Sequence, residues 1–194
     1  MNLKNRYFFL RHGKNIHQEE LKDILYCWPD DNPPCNLNEE GMKQAEHAGH
    51  LLKNKKIEYI FCSDILRTRQ TAEIVADIIG FDANKIIYDT RLRDLNWGDF
   101  GGKTKEEYWN FYDNERMRCF TLAVPGGESW HQCLERVLRT FNEMESNFEG
   151  KNILIVSHGD VMWLLEGYIN NIPDEELLER RTEMMLKPGE MKEI

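Results

Sequence analysis

Two segments that lie far apart in this chain share one design. Phe8-Phe9-Leu10-Arg11-His12-Gly13 is a short apolar run that ends in His-Gly, and Ile153-Leu154-Ile155-Val156-Ser157-His158-Gly159 is another. A neutral imidazole is a competent nucleophile near pH 7, because its unperturbed pKa is about 6.5. Arg11 adjoins the first histidine, and Arg67 and Arg69 follow a further apolar run in Cys62-Ser63-Asp64-Ile65-Leu66-Arg67-Thr68-Arg69-Gln70-Thr71-Ala72. Guanidinium groups grip phosphate as rigid forks and never lose their charge. Phosphoryl transfer needs a nucleophile in line with the leaving oxygen and cations around the equatorial oxygens. Glycine after each histidine lets backbone approach a ligand closely. A single His-Gly is a weak signal, but two at the ends of matching apolar runs are hard to ascribe to chance. Periodicity leaves Arg67 and Arg69 as equal candidates, and either can also be an ordinary solvated helix position.

Such chemistry also wants an acid that protonates the departing alcohol. The candidates sit in Leu92-Arg93-Asp94-Leu95-Asn96-Trp97-Gly98-Asp99-Phe100-Gly101-Gly102, a stretch too rich in glycine for a regular helix. Aspartates in loops most often form turns or cap helices, so neither Asp94 nor Asp99 stands out from the residues alone.

The elements that must position these groups alternate. The pattern predicts a strand over 7–10, a loop at Pro29-Asp30-Asp31-Asn32-Pro33-Pro34, and a helix from an Asn38 N-cap to about 53. It predicts strands over 57–61 and 86–88, with a helix over 65–79 stopped by Gly80 between them. Residues 104–118 read as an aromatic, charged helix. Pro125-Gly126-Gly127 breaks the chain before a helix over 128–148, and a fully apolar strand at 153–156 precedes a helix beginning near Val161. Strands alternating with helices imply an α/β domain, a largely parallel sheet with helices on both faces. Ligands of such sheets bind beyond the carboxyl ends of the strands, where both His-Gly pairs would project.

The 194 residues are 41% hydrophobic, enough for one domain with a sizeable core. No stretch approaches the ~20 apolar residues of a membrane helix, and the apolar run after the polar start is too short for a signal peptide. The expected address is the cytoplasm, with no membrane association. Cys27, Cys35, Cys62, Cys119 and Cys133 show no close CxxC spacing, so reduced thiols are expected. A net charge of −9 argues against a nucleic-acid partner and requires an anionic substrate to be drawn in by a local basic cluster. No carboxylate cluster with metal-ligand spacing accompanies the histidines, so no metal and no cofactor are expected.

With these residues in view, the chain resembles the histidine phosphatase superfamily, in the branch that includes cofactor-dependent phosphoglycerate mutases. Leu10-Arg11-His12-Gly13 looks like the family's nucleophile motif, and Leu37-Asn38-Glu39-Glu40-Gly41-Met42-Lys43-Gln44-Ala45 like the entry to its first helix. The run from Ser63-Asp64 through Arg67 to Gln70-Thr71-Ala72 is similar to its second-arginine motif, which favours Arg67 over Arg69. Pro125-Gly126-Gly127-Glu128-Ser129 and Ser157-His158-Gly159 complete the set. The resemblance implies a phosphoglycerate mutase-like fold. It implies that His12 attacks phosphorus and that Arg11, Arg67 and His158 bind the phosphate oxygens, with Gly13 and Gly159 also lining the substrate. It places Asp94 where the family usually has a glutamate acid, and Gln18 where it often has an asparagine that contacts phosphate. It also implies a helical cap around 104–124 within one domain spanning 1–194.

The implied activity is metal-independent hydrolysis of small phosphorylated metabolites through a phosphohistidine. An α-ribazole-phosphate, sugar-phosphate or phosphoglycerate-type phosphatase would suit this size. A cofactor-dependent phosphoglycerate mutase is the enzymatic alternative, although mutases of this branch are usually longer. A protein-directed phosphohistidine phosphatase with a regulatory role is another, and the Asp94 loop and cap speak against it. A non-catalytic binding domain fits least, since every core position holds a suitable residue. The partner expected is a small phosphorylated substrate, and the sequence leaves room for a homodimer.

Overall fold

The computed structural model describes residues 1–26 and 35–194. Cys27 and the turn-rich stretch at 29–34 lie outside the described residues. The chain runs β1 (Arg6–Arg11), α1 (Ile16–Glu20), α2 (Glu39–Leu52), β2 (Tyr59–Cys62), α3 (Leu66–Ile79), β3 (Ile87–Tyr88), α4 (Lys105–Phe111), α5 (Arg118–Thr121), α6 (Trp130–Asn147), β4 (Asn152–Ser157), α7 (Gly159–Ile169), α8 (Asp174–Glu179), α9 (Arg181–Met184) and β5 (Met191–Glu193). The sheet order is β3-β2-β4-β1-β5, parallel except for β5, which pairs antiparallel with β1. The expected α/β architecture is present. The antiparallel β5 was not expected, because three polar-flanked residues carry no alternation; the strand forms by pairing with the open edge of β1.

Strand periodicity sorts the core into two layers. Phe8 and Leu10 of β1, with Leu154 and Val156 of β4, face Ala48 and Leu52 of α2 and Ala72 and Val75 of α3. Tyr7, Phe9, Ile153 and Ile155 face the opposite layer, where Trp130, Phe141 and Trp163 are buried. All four apolar residues at 7–10 are 0% exposed. At about 1.5–3 kcal/mol for each fully buried large apolar side chain, this burial fixes the strand that ends at Arg11 and His12.

The helix boundaries follow local chemistry. Asn38 caps α2 by accepting from the Gly41 N–H at 2.8 Å. Gly80 ends α3 in the left-handed region, at φ 72°. Ser129 and Gln132 form a capping box on α6. The single helix expected over 104–118 is instead two, α4 and α5. Asp113 and Asn114 take φ of 54° and 61°, a conformation these short polar side chains tolerate, and the chain turns there. The short α1 was also unanticipated. Among the described residues no helix is long and apolar enough to cross a membrane.

Candidate active site

The sheet order brings β2, β4 and β1 side by side, so their carboxyl ends meet. His12 N–H donates to the Ser157 carbonyl and Ser63 N–H to the Val156 carbonyl, each at 3.0 Å. The rings of His12 and His158 are thereby brought to 5.2 Å between centroids. His12 is 2% exposed, and its Nδ1 lies 2.8 Å from the Gly13 carbonyl oxygen. A carbonyl only accepts, so Nδ1 carries the proton and Nε2 presents its lone pair. The Arg67 Nε–H approaches that lone pair at 3.3 Å. Burial pushes the His12 pKa well below its ordinary value, and the charges of Arg67 and Arg11 add to the effect. The ring is therefore held neutral, as a nucleophile must be.

His158 is fixed in the complementary sense. Arg67 Nη2 lies 3.1 Å from its Nδ1 and Ser63 Oγ 3.0 Å from its Nε2. A guanidinium only donates, so Nδ1 accepts and Nε2–H donates to the serine. Burial and the nearby positive charges hold this ring neutral too. Asp94 Oδ2 is 3.5 Å from Arg67 Nη2 and 3.6 Å from His158 Nδ1, while Oδ1 accepts from the Leu95 N–H at 3.0 Å. Burial pushes the Asp94 carboxyl up to about 6; the negative charge of Asp160 assists, and Arg67 and Arg11 oppose. His12, Arg67, His158 and Asp94 thus form one cluster. Asp99 is exposed and lies against the 125–127 turn, where a Cβ added to Gly126 would meet its Oδ1 at 3.1 Å. Arg69 is exposed, its guanidinium 5.0 Å over the Tyr88 ring.

The flanking motif residues act on the backbone. Thr71 Oγ1 accepts from the Gly13 N–H at 3.1 Å and donates to the Arg67 carbonyl at 2.8 Å, tying α3 to the loop after His12. Arg136 of α6 donates to the carbonyls of Arg91, Arg93 and Asp94 at 2.7–3.0 Å. Its partner Glu128 accepts from the Asn96 N–H at 3.0 Å. The loop carrying Asp94 is therefore clamped from α6 and from the start of that helix. Sequence reasoning missed Arg136, whose acceptors include three backbone carbonyls that leave no side-chain pattern.

Both glycines also make room for a neighbouring element. A Cβ on Gly13 would lie 2.3 Å from the Gly41 carbonyl oxygen, so the space there is filled by α2. A Cβ on Gly159 would lie 3.0 Å from Arg11 Cζ, so this glycine makes room for a guanidinium. Gln18 accepts from the Asn15 N–H at 3.2 Å and receives the Asn15 side chain on its own N–H at 2.9 Å, which engages its amide oxygen in the cap of α1. Arg11 is braced by the C-terminal segment. Its Nη1 donates to the Leu186 carbonyl at 2.7 Å, its N–H donates to the Glu190 carbonyl at 3.1 Å, and the Gly189 N–H is shared between the Arg11 and His12 carbonyls. Its Nε has no hydrogen-bond partner among the described residues. Sequence reasoning also missed this brace.

The family model for histidine phosphatase superfamily (branch 1) matches residues 7–185. The chain belongs to the histidine phosphatase superfamily. Within this superfamily it is 27% identical over 184 residues to a 2,3-bisphosphoglycerate-dependent phosphoglycerate mutase of Parvibaculum lavamentivorans, covering 91% of this chain and 85% of the relative. It is 31% identical over 170 residues to a probable phosphoglycerate mutase GpmB of Escherichia coli O1:K1, covering 86% and 75%. Among solved structures, Bacillus stearothermophilus YhfR superposes with a TM-score of 0.78 at 26% identity, covering 98% of this chain and 90% of that one. A mycobacterial glucosyl-3-phosphoglycerate phosphatase superposes with a TM-score of 0.79 over 97% and 88% of the two chains; at 22% identity this is a likeness of fold. The curated relatives are thus named for mutase activity, and a neighbour that shares the fold is named for phosphatase activity.

Proposed function

We propose that this chain hydrolyses small phosphomonoesters through a phosphohistidine on His12. The observation that carries this reading is the His12 ring, its Nδ1 tied to the Gly13 carbonyl and its Nε2 lone pair turned toward Arg67. In the first step the Nε2–phosphorus bond forms as the bond to the leaving oxygen breaks, and Asp94 gives its proton to that oxygen. In the second, water attacks phosphorus, the phosphorus–nitrogen bond breaks, and Asp94 takes a proton from the water. Arg11, Arg67 and His158 hold the phosphoryl oxygens, with the backbone at Gly13 and Gly159 and the Gln18 side chain at the margin. Two guanidinium groups supply the charge stabilisation that a metal gives elsewhere, so no metal is required. Residues 104–124 act as a cap over the leaving group within a single domain, and the enzyme works in the cytoplasm. The phosphatase name of the mycobacterial fold neighbour favours water as acceptor, whereas the mutase names of the relatives favour a phosphoglycerate.

Brief incubation with labelled substrate and an acid-free quench should trap an acid-labile, alkali-stable phosphate on His12, and His12→Ala should abolish it. Full turnover in that variant would overturn the mechanism. Release of inorganic phosphate without 2,3-bisphosphoglycerate priming marks the phosphatase; interconversion of 3- and 2-phosphoglycerate with little release marks the mutase.

A further inference from the structure

Arg181 occupies the same corner of the molecule as Arg11. Asp160 Oδ1 accepts from Arg181 Nη2 at 2.7 Å. On the residue before Asp160, a Cβ added to Gly159 would meet Arg11 Cζ at 3.0 Å and Met185 Sδ at 2.8 Å. The two guanidinium groups thus flank consecutive residues in the first turn of α7, with 181–186 folded over that turn. They are close enough for the charge of Arg181 to oppose that of Arg11.

The guanidinium of Arg181 is held but not used up. It lies 5.6 Å over the Trp130 ring and 5.2 Å over the Trp163 ring, both buried. Cation–π attraction holds it beside both rings without occupying an N–H. Asp160 takes Nη2, Nε is buried without a hydrogen-bond partner, and Nη1 makes no hydrogen bond among the described residues. The side chain remains 28% exposed. A surface ion pair would not need so much preorganisation, since exposed pairs contribute little. In a chain of net charge −9, a rigid cation at the phosphate corner favours a second anionic group on the ligand.

We propose that Arg181 is a specificity-determining residue that receives a second anionic group, a carboxylate or a phosphate, on the alcohol that leaves the phosphoryl group. Asp160 and the two tryptophans hold its fork in place. The proposal rests on the phosphoryl-transfer reading of the same site. The test is kcat/KM of wild type and Arg181→Gln on 3-phosphoglycerate, fructose 1,6-bisphosphate and glycerol 3-phosphate; the third has no second anionic group, and the first two separate carboxylate from phosphate. A charge-assisted hydrogen bond supports a loss of about tenfold to a hundredfold on the preferred anionic substrate, with less than about threefold on glycerol 3-phosphate. Arg181→Lys should recover part of the loss. Equal loss on all three substrates, or no loss on any, would overturn the proposal. Ligand-induced stabilisation gives a readout independent of turnover: 3-phosphoglycerate or fructose 1,6-bisphosphate should raise Tm more than glycerol 3-phosphate does, and Arg181→Gln should erase the difference. That difference without phosphate release would sink the phosphatase reading and leave Arg181 in its role; no difference would sink the role alone.

Discussion

The floor and the wall of this site are built on different principles. The floor consists of His12, Ser63 and His158 at the ends of adjacent parallel strands, with Arg67 in the first turn of α3, and all four are buried. The wall is the loop bearing Asp94, with its supports in α6 and β4. It is fixed by side chains that reach across to backbone, chiefly Arg136 to three carbonyls and Ser157 Oγ to the Leu92 carbonyl at 2.7 Å. Ladder hydrogen bonds and full burial place these four residues in a way few substitutions can alter. The Asp94 loop hangs on bonds that single substitutions remove. Under the proposed mechanism, chemistry common to many phosphomonoesters would sit on the rigid element and choice among them on the adjustable one.

Substitutions that act on one region and spare the other sharpen this contrast. The largest effect belongs to the wall. Asp94→Asn should slow alkyl phosphates by the ~10²–10⁴ that general acid catalysis supplies, yet barely slow nitrophenyl phosphate, whose leaving group departs as a stable anion. Parallel turnover measurements on the two substrates decide it; equal slowing of both would make Asp94 structural, and a selective loss in Asp99→Asn would move the acid. Next comes the floor. Arg67→Ala removes donors to both histidines and should cost ~10²–10³ in kcat on alkyl and nitrophenyl esters alike; a loss confined to one class would erase the division between floor and wall.

The smallest effect is a pH dependence. The Asp94 carboxyl, pushed up to about 6, must be protonated to act, so kcat/KM on alkyl phosphates should fall as pH rises above about 6, by about tenfold per unit while no other step limits. His12, depressed below its ordinary value, stays neutral in that range, so loss of the nucleophile lies on the acid side of about 6.5. Nitrophenyl phosphate should lack the alkaline fall, and Asp94→Asn should flatten it for alkyl esters. The same fall on both substrates would place the titration in the floor.

Much of the floor was legible because apolar runs and terminal His-Gly pairs are local signals. The strands at 7–10 and 153–156 emerge inside β1 and β4. What residue patterns left open was decided by geometry. Arg67 and Arg69 are two positions apart on a helix, about 200° around its axis, so one enters the site while the other lies over Tyr88 in solvent. Asp94 and Asp99 share a loop, but only the first sits beside an arginine and a histidine. The segment after Gly159 was the least readable. Leu186, Gly189 and Glu190 act through backbone atoms, which no side-chain pattern announces, and the Asp160–Arg181 pair joins two short helices across 21 positions.

The brace on Arg11 also sets an order of assembly. Its guanidinium reaches the Leu186 carbonyl across 175 positions. At about 5–20 residues per second, a ribosome needs roughly 9–35 s to travel from one to the other (175 divided by each rate). The His12 imidazole therefore emerges long before the groups that finish its surroundings. A nascent or trimmed chain without 186–190 carries both histidines but not the carbonyls and N–H that grip the end of β1. The surroundings of Arg11 therefore close only once 186–190 are in place.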